Sequence, residues 1–196
     1  MLKYAKVGFL GLLLSFTTIN APAPSWNIDE NHTSISFEVD HFFTPVAGSF
    51  KKFEGELNFD PDNLEGSKAT FTVQIASVET DNEKRNNHLL TGDFFDAKKF
   101  PEMSFSSTSF AKEGDDFILN GKLTIRDVTK DVNVPVKLLG LGEHPMKKGK
   151  LITAMRAEFS INRNDYGVGT GSWAATAVVG DEVNINVLLE ANRNNN

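Results

Sequence analysis

The side chains with chemical potential in this chain are four dispersed histidines (His32, His41, His88, His144), the arginines Arg85 and Arg163, and the neighbours Asp165 and Tyr166. Cations and a phenol of this kind can hydrogen-bond the polar or anionic groups of a ligand. They can equally serve the fold, with Arg85 and Asp165, or His32 and its neighbours, tying separate segments together. Catalytic patterns are missing. No His-x-His or His-Glu-x-x-His spacing occurs, and there is no cysteine to complete a metal set. Gly-x-Ser-x-Gly is absent. Gly167-x-Gly169-x-Gly171 has no preceding strand and following helix of a βαβ unit, and Asp60-x-Asp62 followed by Leu64 departs from a calcium loop. No catalytic residue, metal site or cofactor is therefore expected, and the remaining enzyme reading is a lipid-modifying one with His41 or His88 as general base.

Most of the chain that must position these groups alternates with period two. Ile35, Phe37, Val39 and His41 share a face, and Gly48, Phe50, Phe53, Gly55, Leu57 and Phe59 follow with a break between Phe50 and Phe53 that predicts a bulge or bend. Ala69 to Ile75 is a third run. Met103 and Phe105, Phe117 to Ile125, Val132 to Leu138, Met155 to Ile161 and Val183 to Leu189 complete eight. Pro135 suits only an edge or bulge, and the polar tail from Asn192 to Asn196 reads as frayed.

The exception is Arg85 to Phe105. Glu83 to Leu90 lacks the alternation and predicts a short helix, capped by Asp81 or Asn82 and ended near Gly92. Phe94 and Phe95 follow in a polar connection, and burying each ring is worth roughly 1.5–3 kcal/mol. Eight apolar-faced strands with one helical insertion between the third and fourth predict an all-β, antiparallel sheet closed on itself. Small inward residues (Gly55, Ala69, Gly121, Ala157) among large ones leave open a channel or a tapered, self-filled core.

At the N-terminus, Lys3 and Lys6 precede an apolar run from Val7 to Ile19 and small residues at Ala21 and Ala23, the layout of a secretory signal peptide over residues 1–21. The expected organisation is that signal, of the Sec type, and one domain over 22–196, delivered to a periplasm or secreted. Losing Lys3 and Lys6 takes the formal charge from −6 to −8, which argues against nucleic acid as a partner. Of sixteen phenylalanines only Phe9 and Phe16 leave with the signal, so the core is aromatic.

Ten short patterns now fall in order. They are Trp26-x-Ile28-Asp29-x-x-His32-Thr33-x-Ile35-x-Phe37-x-Val39-x-His41, Gly48-x-Phe50, Phe53-x-Gly55, Ser77-Val78-x-Thr80, Arg85-x-x-His88-Leu89, Asp93-Phe94-Phe95-Asp96, Phe100-Pro101-x-Met103-x-Phe105, Gly121-x-Leu123-Thr124-Ile125, Val128-Thr129-Lys130-x-Val132 and Ile161-Asn162-Arg163-x-Asp165-Tyr166-Gly167. Each is weak alone; together, over Trp26 to Glu190, they resemble the YceI-like family of secreted bacterial proteins. The chain departs from that family at Thr33, Asn86, Leu90 and Tyr166, where Ser, Asp, a basic residue and Phe are usual.

The resemblance implies an eight-stranded lipocalin-like β-barrel that holds or shuttles a long-chain isoprenoid, a quinone or polyprenyl lipid. The expected tail-binding residues are Phe37, Val39, Phe50, Phe71, Val73, Leu89, Phe94, Phe95, Phe105, Leu123 and Phe159. The expected head-binding residues are His41, Arg85, His88, Arg163, Asp165 and Tyr166. Transient membrane contact and a homodimer are both compatible with it. A tail of about 20 carbons gains on the order of 16 kcal/mol gross on burial, but a bilayer offers the same. Selectivity must then come from shape and from contacts at the head. A structural stress protein with a self-filled core is the other alternative.

Overall fold

The computed structural model describes residues 21–175 and 177–195; the signal-peptide reading, up to residue 20, lies outside them. The elements are β1 (Ser25–Ile28), β2 (Ser34–His41), β3 (Thr44–Phe50), β4 (Phe53–Asn58), β5 (Lys68–Gln74), β6 (Val78–Glu79), α1 (Glu83–Leu89), β7 (Glu102–Glu113), β8 (Asp116–Ile125), β9 (Val128–Glu143), β10 (Lys150–Asn162) and β11 (Val179–Asn194). The strands form one antiparallel sheet in the order β1-β4-β5-β7-β8-β9-β10-β11-β2-β3-β6, and a β1–β11 pairing closes it.

These eleven pieces make eight walls. β11 pairs with β2 from Val179↔His41 to Leu188↔Ser34 and then with β1 at Ala191↔Ile28 and Asn192↔Asn27, so β1 and β2 are halves of one wall. β3 and β4 are halves of the next and β5 and β6 of a third, because β4 pairs with β5 while β3 pairs with β6. The break between Phe50 and Phe53 is the bend in this pair of walls. There the Lys51 and Lys52 amides donate to Ser77 O and Oγ at 3.1 and 3.0 Å, and the Gln74 amide to Lys52 O at 3.0 Å. Those bonds satisfy backbone groups that the bend removes from the ladder. The result is the lipocalin-like barrel that the alternation and the resemblance imply, with α1 between its third and fourth walls.

One end is plugged. Trp26, Leu57, Phe59, Phe110, Phe117, Leu119, Val136 and Met155 pack there as a buried cluster. Phe59 stands edge-on to Phe117 at 5.4 Å, and the Trp26 indole donates to Phe59 O at 2.8 Å. Burying an indole without such a partner would cost stability.

Inward glycines serve close approach rather than vacancy. Gly48 and Gly55 are cross-strand partners of Phe37 and Phe71, and a Cβ on either would run into the ring of its partner. Gly121 lies under the Phe105 ring in the same way. Of the small positions that left a channel open, Ala157 is the one that borders the apolar interior space. One local expectation changes and another is met. The tail pairs as strand to Asn194, since Asn192 has both Asn27 and Ile152 as partners. Pro135 lies inside β9, but where β9 has only β8 beside it, because pairing with β10 begins at Val136.

Candidate functional site

Between the plug and the helix-bearing end the barrel is hollow. A lower chamber of about 140 Å³ lies among Phe71, Val73, Phe105, Leu123, Ala157 and Phe159. An upper one of about 120 Å³ lies among Phe37, Val39, Phe50, Leu89, Phe94 and Phe95. Ile35, Met103, Ile125 and Ile185 border both and form a waist between the chambers. Met103 is the pliable member of that waist, an unbranched thioether among branched side chains. A cavity needs only about 10–15 Å³ to hold a water. These chambers are far larger, but their walls carry almost no polar atoms to bind one.

All eleven side chains expected at a tail therefore border one chamber or the other. Period two places them inward along their strands, and α1 with its following turn supplies the rest. Asn82 caps α1 by accepting from the Arg85 amide at 3.1 Å. The turn is closed by the Phe95 amide to Leu89 O at 3.0 Å and the Asp96 amide to Thr91 O at 2.8 Å. This folds Phe94 and Phe95 inward, with Phe95 edge-on to Phe50 at 6.0 Å. Sequence reasoning did not single out Met103, Ile125 or Ile185 as wall residues, although all three obey the same alternation.

Above the upper chamber a vestibule of about 430 Å³ opens between α1, the β2–β3 hairpin and the β10–β11 loop. Phe37, Val39, Leu89, Phe94 and Val179 border both spaces, and His41, Lys84, Arg85, His88 and Trp173 form the outer rim. Trp173, unmarked by the sequence reading, completes the cap. His88 stands edge-on to Phe94 and Trp173 at 5.0 and 5.1 Å, and its Nε2 bonds Asp93 Oδ2 at 2.9 Å.

The six residues expected at a head divide sharply. His41, Arg85 and His88 reach the vestibule. Arg85 also anchors α1, donating from Nε and Nη2 to Thr80 Oγ1 and O; its Nη1 has no hydrogen bond among the described residues. Arg163 borders the upper chamber but is 4% exposed and fully engaged. It donates to the carbonyls of Gly180, Val168, Gly169, Trp173 and Val179 and to Asn164 Oδ1. Burial pushes its pKa down. The expectation of a head contact by Arg163 is corrected on that ground: every guanidinium N–H is used in holding the loop.

Asp165 is corrected as well. It is exposed, pairs with Lys130 at 2.7 Å and borders no chamber. Tyr166 is buried against the upper chamber, its hydroxyl has no hydrogen bond among the described residues, and burial raises its pKa. Arg126 was not singled out by sequence reasoning. Its Nη1 donates to Phe94 O at 3.1 Å and to Gly167 O, joining the turn after α1 to the β10–β11 loop.

Departures from the family pattern also find places. Asn86 accepts from the Thr80 amide and hydroxyl at 2.9 and 2.6 Å and donates to Glu79 at 2.8 Å, which holds the Glu79 carboxyl below its usual range. An Asp there would face Glu79. Leu90 packs on the cluster of Ile35, Phe50, Val73, Ile75 and Val78. Thr33 Oγ1 both donates to and accepts from the Glu190 backbone, at 3.3 and 3.2 Å. His32 bonds Asp29 at 3.1 Å and borders neither the chambers nor the vestibule.

A closed antiparallel barrel, plugged at one end and hollow and apolar beneath a capped mouth, has the architecture of a binding barrel. A sequence profile of the YceI-like domain matches residues 26–191. The protein YceI of Salmonella agona is 35% identical over 172 residues, covering 86% of this chain and 89% of that one. The crystal structure of Burkholderia cenocepacia BcnA superposes with a TM-score of 0.76 at 30% identity, over 84% of this chain and 99% of that one. A polyisoprenoid binding domain from Saccharophagus degradans, implicated in plant cell wall breakdown, has the same fold at 12% identity, with a TM-score of 0.63 over 85% and 97% of the two chains. The chain belongs to the YceI-like family.

Proposed function

We propose that this protein holds or shuttles a long-chain isoprenoid, a quinone or polyprenyl lipid, with the tail in the two chambers and the polar head in the vestibule. The observation that carries the reading is the pair of adjacent, apolar chambers. Leaving about 140 Å³ empty costs roughly 3 kcal/mol at the usual price of cavity volume, and an apolar occupant removes that cost. His41, Arg85 and His88, which line the vestibule, are the polar side chains that would meet the head. The polyisoprenoid binding of the Saccharophagus domain is consistent with this reading.

The N-terminal pattern over residues 1–21 supports export to a periplasm. N-terminal sequencing of mature protein from cell fractions tests that step. For the ligand, solvent extraction of purified protein and mass spectrometry should release a stoichiometric, intact isoprenoid. Turnover of added lipid would favour the lipid-modifying alternative. Repeatedly empty extracts, with no uptake of quinone or polyprenyl probes, would rule out carriage.

A further inference from the structure

Phe42 and Phe43 form the whole loop between β2 and β3, closed by the His41↔Thr44 pair. Phe43 is 99% exposed and Phe42 57%. Phe42 also has φ +55°, at the first position of a two-residue hairpin loop, where glycine is the usual choice because a Cβ is crowded there. The turn thus carries a bulky aromatic where its geometry favours glycine, and neither ring packs into the core.

The rings stand beside the mouth. His41, which faces the vestibule, is edge-on to Phe42 at 4.5 Å. The Phe42 amide donates to Val178 O at 3.0 Å, and the next residue, Val179, borders both vestibule and upper chamber.

We infer that the Phe42–Phe43 tip inserts into the interface of an uncharged lipid bilayer and docks the mouth against it, so that a lipid passes between membrane and chamber without crossing water. What passes rests on the proposed function; the docking does not. A convex tip fits a deformable phase. Two phenylalanines offer about 150–250 Å² each, well short of the roughly 800 Å² per partner of a stable protein interface. A second copy of this chain is therefore a poor occupant for the tip. The formal charge, −6 over the full sequence and −8 without residues 1–21, opposes an anionic surface, which leaves a zwitterionic one.

The test is flotation with vesicles of phosphatidylcholine and phosphatidylethanolamine, using wild-type protein, the Phe42→Ser/Phe43→Ser double variant and Phe42→Gly. Wild-type protein should float, and recovery of the double variant in the lipid fraction should fall tenfold or more. Its melting temperature should be unchanged, and that of Phe42→Gly raised, because no core contact is lost and the positive φ is relieved. Delivery of a fluorescent polyprenyl probe from the vesicles should slow in step, while uptake of the same probe from detergent stays equal. Failure of wild-type protein to float, or equal flotation of the double variant, overturns the inference. A wild-type dimer that becomes monomeric in the double variant with flotation unchanged also overturns it, assigning the tip to self-association. Flotation lost in the double variant, with no probe uptake by wild-type protein from either source, supports docking and overturns the carriage reading instead.

Discussion

His88 meets Trp173 edge-on at 5.1 Å, and through this contact α1 rests on the loop between β10 and β11. Phe94 stands 5.0 Å from His88 and 5.7 Å from Trp173, so three rings from two distant segments form a roof at the mouth, with Phe94 bordering the upper chamber and all three the vestibule. Arg126 ties the same two segments together through Phe94 O and Gly167 O.

Replacing Phe94 and Phe95 together with alanine separates roof from core. The loss of stability should stay below the ~3–5 kcal/mol that each such change costs in a filled core, because the rings border a chamber on one side. The dissociation constant for a bound isoprenoid should rise at least tenfold, or ~1.4 kcal/mol. Chemical denaturation and probe displacement read the two effects; equal losses would make the rings ordinary core.

Ala157→Leu projects new atoms into the lower chamber. Melting temperature should hold or rise, since the volume is empty, whereas a packed site would lose about 1–3 kcal/mol. The amount of lipid extracted per protein should drop. A destabilised variant with unchanged lipid content would contradict the hollow barrel.

Arg163→Met keeps much of the side-chain bulk and removes every donor. Five carbonyls lose their partner, and the expected cost is at least about 3 kcal/mol, or roughly 2–4 °C of melting temperature per kcal/mol. Limited proteolysis should then cut within residues 167–178. An intact loop would mean that the guanidinium is dispensable there.

His32 titrates above the ordinary histidine value because Asp29, and then Glu190, favour its charged form, while Asp29 is held low mainly by the His32 bond. A raised histidine contributes stability below its unfolded pKa near 6.5. That contribution disappears as pH rises through the folded value. The carboxylate's share is present above about 3.9 and disappears as pH falls through its lowered folded value. NMR titration should find His32 above 6.5 and, in Asp29→Asn, closer to it; no change on substitution would remove the pair as the cause.

The strands, the bend after Phe50, the short helix capped at Asn82 and the inward faces of Phe37, Phe71, Phe105 and Phe159 were all readable in the sequence. Each depends on period-two alternation or on capping chemistry within a few residues. Which inward residues meet empty space and which fill the plug was not readable. Phe59 and Phe71 have the same local pattern, yet Phe59 is packed by Phe110 and Phe117 while Phe71 faces the lower chamber. The fates of Arg163 and Asp165 were likewise settled by carbonyls and a lysine brought in by other segments. Alternation assigns a side chain to a face, but only the closed barrel determines how much volume and which polar atoms that face meets.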